Sequence, residues 1–244
     1  MPTSTPKAAS AVLIWTAILI LYVVWGSTYL AIRVAVEAIP PFVMGALRFG
    51  TAGLVMLAAV AIARRGALAR PTRRELRDCA IIGACFMFGG MGLVSWGEKT
   101  VPSGVAGVLI AMMPVWVAIY GRVFFHERLP GMAIAGIVVG MVGVVALVAQ
   151  GVALERNLDP TGMAALLLSP VAWAAGATFS AKRARLPSDP FLAASLQMIS
   201  GAAILLVVAV LSGEVASFRL ENVTREAALA TGYLTVVGSL VAFT

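Results

Sequence analysis

The stretch that decides the fold is WGSTYLAIRVAVEAIPPFVMGALRFGTAG, residues 25–53. It holds the end of one apolar helix, a Pro-Pro corner and the start of a second apolar helix. Trp25, Tyr29 and Arg33 lie four residues apart, so they share one face of the first helix. That face is aromatic and polar, which indicates that it meets something other than lipid.

The second helix of this stretch carries a charge. Pro40 and Pro41 suit a turn and the first turn of a new helix, where a missing N–H group costs nothing. Arg48 follows Pro41 by seven residues, which places it roughly 10 Å along that helix. An arginine at that depth is costly in lipid and should face a protein interior or a water-filled cavity.

Composition predicts a membrane protein. Hydrophobic residues make up 61% of the chain and charged residues 12%, about half the charge of an ordinary soluble protein. The mean hydropathy is +0.98. Apolar stretches of roughly 20 residues recur between short polar runs, as in helices that span a lipid bilayer. The basic residues lie in the loops between these stretches, so the pI near 10.1 does not indicate nucleic-acid binding.

The predicted fold class is an all-α polytopic membrane protein with eight spans. Residues 1–10 form a polar tail. The spans lie at about 11–32, 42–63, 79–97, 103–125, 132–149, 162–181 and 191–211, and the last is still running at Thr244. Pro114 predicts a kink in the fourth span, and the glycines Gly136 and Gly140 in the fifth predict close helix packing.

Loop charges predict the orientation. With the N-terminus inside the cell, the inner segments carry twelve Lys and Arg residues and the outer segments carry five. Short loops with an excess of Lys and Arg stay in the cytoplasm. The sequence therefore predicts a multi-pass protein of the inner (plasma) membrane with a cytoplasmic N-terminus.

The chain also repeats itself. Trp25 matches Trp173, and the Pro-Phe pair at 41–42 matches the pair at 190–191, at offsets of 148 and 149 residues. Five predicted spans separate the two copies, so the second copy enters the membrane inverted. Inverted repeats are typical of secondary transporters, whose binding site lies between the halves near the membrane midplane.

Five segments carry a resemblance to a known family. They are WGSTYLAIR (25–33), PPFVMGALRFGTAG (40–53), VPSGVAGVL (101–109), HERL (126–129) and GYLTVVGSLVAFT (232–244). On these the chain resembles the EamA-domain family of the drug/metabolite transporter superfamily, especially its bacterial metabolite-exporter branch. The resemblance implies ten spans in two inverted five-helix repeats, both termini cytoplasmic, and export of small metabolites or drugs without ATP.

The domain prediction follows from this resemblance. Residues 11–150 form a first EamA repeat of five spans, and residues 151–244 form a second repeat with three. At an offset of 149 Thr244 falls on Ser95, so the second repeat lacks two helices of the implied ten. We therefore expect the chain to be a truncated copy.

Arg48 is the first candidate for the substrate site. It could be a cavity cation that attracts an anionic or zwitterionic substrate, because charges inside a membrane are usually functional. It could also be a structural arginine that snorkels outward or pairs with Glu37 or Glu98. The matching residue in the second repeat is Gln197, which is polar but uncharged.

Four aromatic residues are the other substrate-binding candidates: Trp25, Tyr29, Trp96 and Trp173. In a cavity their rings would stack on organic substrates or hold cations. At the membrane surface they would be interfacial anchors, a common use of Trp and Tyr. Trp25 and Trp173 each fall inside a predicted span, which favours the cavity.

Glu98 is a weaker candidate, for proton coupling. A carboxylate at the outer end of the third span could carry a coupling proton. The favoured interpretation is a solvated loop, because Lys99 makes the segment nearly neutral. No Asp or Glu lies in the middle of any predicted span, which weakens a carboxylate-relay mechanism.

The predicted function is secondary transport: export of amino acids, related solutes or drugs by alternating access. Two alternatives stay open, a truncated fragment that transports nothing and an intramembrane hydrolase. A hydrolase would need a nucleophile with a partner inside the bilayer, and the single histidine, His126, lies at a helix end. No phosphate-binding loop, flavin motif or metal cluster occurs in the sequence, so no catalytic residue, metal ligand or cofactor is predicted.

Overall fold

A computed structural model of the chain describes residues 11–64, 70–154 and 159–241, and within these ranges it contains helices and no strand. The α-helices are α1 (Ala11–Val36), α2 (Pro41–Ala63), α3 (Arg73–Gly83), α4 (Leu93–Gly97), α5 (Ser103–Ile110), α6 (Met113–Phe125), α7 (Gly131–Leu154), α8 (Pro160–Lys182), α9 (Pro190–Leu211), α10 (Glu214–Ser217) and α11 (Arg225–Thr235). Two π-helical segments lie at Ala84–Gly92 and Val236–Val241, and a 3₁₀ turn lies at Leu220–Asn222.

Six helical segments among the described residues are long and apolar enough to cross a membrane. They are Ile18–Val36, Pro41–Ala63, Arg73–Gly97, Ser103–Phe125, Pro160–Lys182 and Pro190–Leu211. A shorter apolar helix covers Gly131–Ala146, and α11 with the second π segment occupies the place of the predicted eighth span. The predicted class, an all-α polytopic membrane protein, is confirmed.

The helices begin where the sequence signals place them. Proline is the first residue of α2, α8 and α9, a position where it has no N–H group to lose. Asp159 and Asp189 cap α8 and α9 by accepting hydrogen bonds from the N–H groups of the first turn. The kink predicted at Pro114 is a break, since α5 ends at Ile110 and α6 begins at Met113.

Helices α2 and α9 pack against each other along their length and run antiparallel. Gly45 approaches Leu205, and two turns later Gly53 approaches Met198 and Ile199. We call residues 11–150 the first half and the residues from 151 on the second half. Around the pair of α2 and α9, α8 packs on Arg73–Gly97, the third span of the first half, and α1 packs on α11 and the second π segment. This exchange of partners is the pattern that two halves related by a two-fold axis would give.

The closest contacts between helices lie at glycines other than Gly136 and Gly140, for which close packing was predicted. A Cβ atom on Gly83 would lie 2.4 Å from the backbone oxygen of Gln197 in α9. Gly136 and Gly140, by contrast, have no described atom within 4 Å of such a Cβ, because they border a crevice between α6 and α7. The prediction of close packing at these two glycines is wrong for the described part of the chain.

The third helix of each half has the same local construction. Thr72 caps α3, which runs for 11 residues and continues as the first π segment. Thr224 caps α11, which also runs for 11 residues and continues as the second π segment. The two helices start 152 residues apart, at Arg73 and Arg225, whereas α2 and α9 start 149 residues apart. The second half therefore has three more residues than the first between the starts of these two helices.

Loops predicted to lie inside the cell contact one another at one end of the bundle, which we call the inner end. Arg64 forms an ion pair with Asp189 at 2.8 Å. Asp78 accepts a hydrogen bond from the N–H of Arg185 at 2.9 Å. Lys182 also pairs with Glu127.

Loops predicted to lie outside meet at the opposite end, which we call the outer end. Glu214 accepts hydrogen bonds from the N–H groups of Phe42 and Val43, at 2.8 and 3.2 Å. Thr100 donates a hydrogen bond to Asp159 at 2.9 Å. The grouping of loops therefore agrees with the predicted topology, while the orientation itself stays a prediction.

Candidate substrate path

The aromatic face of α1 meets the second half of the chain. The ring of Trp25 lies 5.4 Å from the ring of Trp173 in α8, with the planes tilted by 41°. Trp173 is also 6.2 Å from the ring of Phe86 in the first π segment. The structure thus brings together two predicted site residues that are 148 positions apart in sequence. Phe86 was missed because nothing in its apolar surroundings distinguishes it from a packing residue.

Tyr29 lies one turn farther toward the outer end on the same face. A Cβ atom on Gly107 of α5 would lie 3.9 Å from the Tyr29 ring, so the glycine leaves room for this aromatic side chain. On α1, the hydroxyl of Ser27 is 2.6 Å from the hydroxyl of Tyr233 in α11. Tyr233 thus makes a polar contact between the halves that was not predicted.

Trp96 occupies a different position from the other aromatic candidates. It lies in α4, half-buried, and packs against the hydrophobic core close to the outer end. Its role as a substrate-binding residue stays a prediction.

Arg48 is buried between the two halves, with 1% of its surface exposed. Its Nε donates to the hydroxyl of Ser239, and its Nη2 donates to the carbonyl of Gly238, each at 2.8 Å. These partners lie in the second π segment, so neither Glu37 nor Glu98 pairs with Arg48. Arg48 thus lies in a protein interior, one of the two environments predicted for it. A substrate-binding role for Arg48 stays a prediction.

Glu98 is completely buried, with 0% of its surface exposed. Neither carboxylate oxygen has a hydrogen-bond partner among the described residues. The Arg33 guanidinium lies nearby but donates to the backbone carbonyl of Glu98. Burial raises the pKa of Glu98, the first residue after the third span, to about 9, and the positive charge of Arg33 opposes this shift.

The favoured interpretation of Glu98 as a solvated loop residue is therefore wrong. Glu98 is buried, and of the Glu98–Lys99 pair only Lys99 is exposed. The physical reason is the packing of the outer end, where Gly97 lies directly against Gly162 and Leu166 of α8. The contact of Gly97 with α8 joins residues more than 60 positions apart in sequence. The charges of the residues next to Glu98 therefore cannot predict it.

A crevice of about 340 Å³ opens toward the inner end between α6 and α8. Its wall includes Tyr120, Phe124 and Phe179, and Arg183 lies with its guanidinium 5.6 Å from the ring of Phe125. The hydroxyl of Thr178, which also lines the crevice, is buried without a partner among the described residues. None of these residues was predicted, because aromatic, hydroxyl and basic side chains are common at helix ends and no motif marks them.

In the described part of the chain no three His, Cys, Asp or Glu side chains are grouped as metal ligands would be. Cys79 and Cys85 are free thiols.

The family model for EamA-like transporters matches residues 12–149 of the chain. The chain belongs to the EamA-like transporter family. The resemblance seen in the sequence is thereby confirmed, and the protein is a membrane transporter.

Relatives of this EamA-type transporter include a protein named uncharacterized inner membrane transporter YedA, from Escherichia coli (strain K12). The two are 32% identical over 227 residues, which is 93% of this chain and 70% of YedA. A probable terminal-alkyne amino-acid exporter from Streptantibioticus cattleyicolor is 34% identical over 145 residues, or 57% of this chain and 45% of that protein. The family, the YedA relative and the six membrane-length helices agree with the predicted localisation, a multi-pass protein of the inner membrane.

A solved crystal structure has the same fold. It superposes with a TM-score of 0.65 over 92% of this chain and 74% of its own, at 22% sequence identity. At that identity the likeness concerns the fold alone.

Proposed function

We propose that this EamA-type transporter is a secondary transporter that exports small organic solutes by alternating access. The proposed solutes are amino acids, related metabolites or drugs, since one relative is named a probable terminal-alkyne amino-acid exporter. The observation that carries the proposal is the contact of Trp25 with Trp173, 5.4 Å apart across the two halves.

The position of this contact suits a substrate site. Trp25 is residue 15 of the 26 in α1, and Trp173 is residue 14 of the 23 in α8, so each ring lies near the middle of its helix. A site between the halves at mid-depth can face either side of the membrane as the halves rock against each other. Aromatic faces at that site would bind apolar groups and cations of an organic solute.

The crevice between α6 and α8 supports an inner entry to this site. It lies at the inner end of the helix that carries Trp173 and is lined mainly by aromatic rings. Arg183 places a positive charge at its edge, and the unpaired hydroxyl of Thr178 offers a hydrogen bond. These groups suit a solute that has an apolar part and a carboxylate.

Flux from proteoliposomes tests the proposal. Vesicles that contain the purified chain are loaded with a panel of radiolabelled amino acids, and efflux is followed for the wild type, Trp173→Leu and Trp25→Leu. Loss of a stacking contact of about 0.5–1.5 kcal/mol should lower efflux of a transported solute by about two- to ten-fold.

The matched control is Trp15→Leu, since Trp15 lies on the same helix as Trp25 but is 65% exposed. This variant should transport like the wild type. Absence of efflux for every solute in the wild type would overturn the proposed function. Normal efflux in both Trp25→Leu and Trp173→Leu would overturn this site.

A further inference from the structure

The buried carboxylate of Glu98 has no part in the substrate path just proposed. Burying a charge without a partner is costly, so such a group either finds a counter-ion or becomes neutral. No ion pair joins Glu98 to any described residue, and both of its oxygens lack hydrogen-bond donors. A protonated acid is the form that fits this environment.

The described groups that surround Glu98 form no ion pair or hydrogen bond with its carboxylate. From α1, Tyr29 and Arg33 face it, and Arg33 donates a hydrogen bond to the backbone carbonyl of Glu98 rather than to its carboxylate. Lys99, the next residue, points to solvent. Asp159 at the start of α8 is held by Thr100, Thr161 and Gly162. α5 contributes no titratable side chain, and the Arg48 side chain of α2 is bound to the second π segment.

Glu98 also lies where a transporter must open. It directly precedes residues 99–102, the hinge that leads to α5 at the outer end, and Val101 of that hinge is buried as well. In a transporter that alternates its access, as proposed above, opening of the outer end would bring water to this hinge. Water stabilises the ionised form of a carboxyl group, so the two conformations must bind the proton with different affinity.

We propose that Glu98 is a proton-binding site that holds a proton while the outer end is closed and releases it to the outer water when that end opens. Opening converts the neutral carboxylic acid to a carboxylate and one free proton, and closure takes one proton back from the same side. No proton crosses the membrane in this exchange. The proton is thus a ligand of the closed state.

The sign of the pH dependence follows from this exchange. The burial that raises the pKa of Glu98 to about 9 acts in the closed state, and an exposed glutamate titrates near pH 4.3. Between these values closure takes up close to one proton, so the ratio of closed to open protein falls by up to about ten-fold per unit rise in pH. Acid outside the cell would hold the outer end closed.

Cysteine labelling of purified protein in detergent measures this ratio. In a Cys79→Ser, Cys85→Ser background, Val101→Cys places a thiol at a site that is 0% exposed in the closed state. Leu220→Cys places one at a site that is 78% exposed, also near the outer end. The ratio of their maleimide labelling rates cancels the titration of the thiol itself.

With Glu98 present, this ratio should rise with pH by up to about ten-fold per unit between about pH 6 and about pH 8. Glu98→Gln, which keeps the size and hydrogen-bonding capacity, should make the ratio independent of pH. Glu37→Gln is the matched control, because Glu37 is an exposed glutamate of the same end and should change nothing.

Infrared spectroscopy gives a second readout that does not depend on motion. At about pH 7 the wild type should show the carbonyl band of a protonated carboxylic acid, and Glu98→Gln should lack it. Absence of that band from the wild type, or an equal pH dependence in Glu98→Gln and its parent, would overturn the proposal. Neither assay uses a solute, so transport with a flat ratio would refute this inference alone, and a steep ratio without transport would refute the proposed function alone.

Discussion

Replacement of Arg48 by methionine tests whether this arginine is present for stability or for transport. The Arg48 side chain is 1% exposed and donates two hydrogen bonds of 2.8 Å, to Ser239 and Gly238. Hydrogen bonds between membrane helices contribute about 0.6–1.7 kcal/mol each, so the pair stabilises the fold by about 1–3 kcal/mol. No carboxylate of a described residue forms an ion pair with Arg48.

The cost of burial opposes these two bonds and is the larger quantity. An unpaired buried charge costs several kcal/mol, whereas methionine fills a similar space without charge. Ser239 and Gly238 each lose the donor that Arg48 supplies, but the Ser239 hydroxyl keeps the hydrogen bond that it donates to the carbonyl of Leu234, 3.1 Å away. We therefore expect Arg48→Met to leave the free energy of unfolding unchanged or to raise it by about 1 kcal/mol, and to lower transport.

Unfolding in SDS, followed for the wild type, Arg48→Met, Ser239→Ala and the double variant, measures both quantities. The double-mutant cycle isolates the bond between Arg48 and Ser239, for which we expect a coupling of about 0.6–1.7 kcal/mol. Solute efflux is measured on the same preparations. A loss of about 3–5 kcal/mol in Arg48→Met with unchanged efflux would refute this reasoning and make Arg48 a structural anchor.

Two further predictions concern helix contacts. Gly83→Ala should lower the free energy of unfolding by about 3 kcal/mol, because its Cβ would lie 2.4 Å from a backbone oxygen of α9. Gly140→Ala has open space around it and should raise the free energy of unfolding by about 0.5–1 kcal/mol. Equal effects of the two substitutions in thermal unfolding would refute this contrast. Glu214→Ala should speed maleimide labelling of Val101→Cys by opening the outer end, whereas Arg64→Gln at the inner end should not; equal labelling of the two variants would contradict the contrast between the ends.

Much of the fold could be predicted because a membrane-spanning helix is recognisable from its own segment of sequence. A run of apolar residues as long as Pro41–Ala63 must satisfy its backbone hydrogen bonds internally and span the bilayer. The contact of Trp25 with Trp173 was within reach as well, since matching positions of inverted repeats meet near the interface between them.

The rest depends on contacts between distant segments. Glu98 looks like a loop residue in sequence because a neighbouring lysine balances its charge, and only the packing of Gly97 on α8 buries it. The partners of Arg48 lie in a π-helical segment, whose hydrogen-bond pattern differs from that of an α-helix without a change in composition. Gly136 and Gly140 have the spacing of a packing motif, but spacing alone does not supply a neighbouring helix.

The antiparallel pair of α2 and α9 joins the two halves, and different kinds of contact hold its two ends. At the outer end the half-buried carboxylate of Glu214 accepts two backbone N–H groups at the start of α2, where the helix dipole also favours a negative charge. At the inner end Arg64 and Asp189 form an ion pair in which the Arg64 side chain is 57% exposed, and the buried carboxylate of Asp78 accepts the N–H of Arg185. Exposed ion pairs add little to stability because water and salt screen them. An alternating-access cycle must break one set of contacts to open each side. Opening of the outer end must release the two bonds of Glu214, and opening of the inner end must release those of Asp189 and Asp78. Acid would protonate Glu214 and remove the negative charge that favours its contact with α2. In acid the protonated Glu98, and not Glu214, would therefore hold the outer end closed.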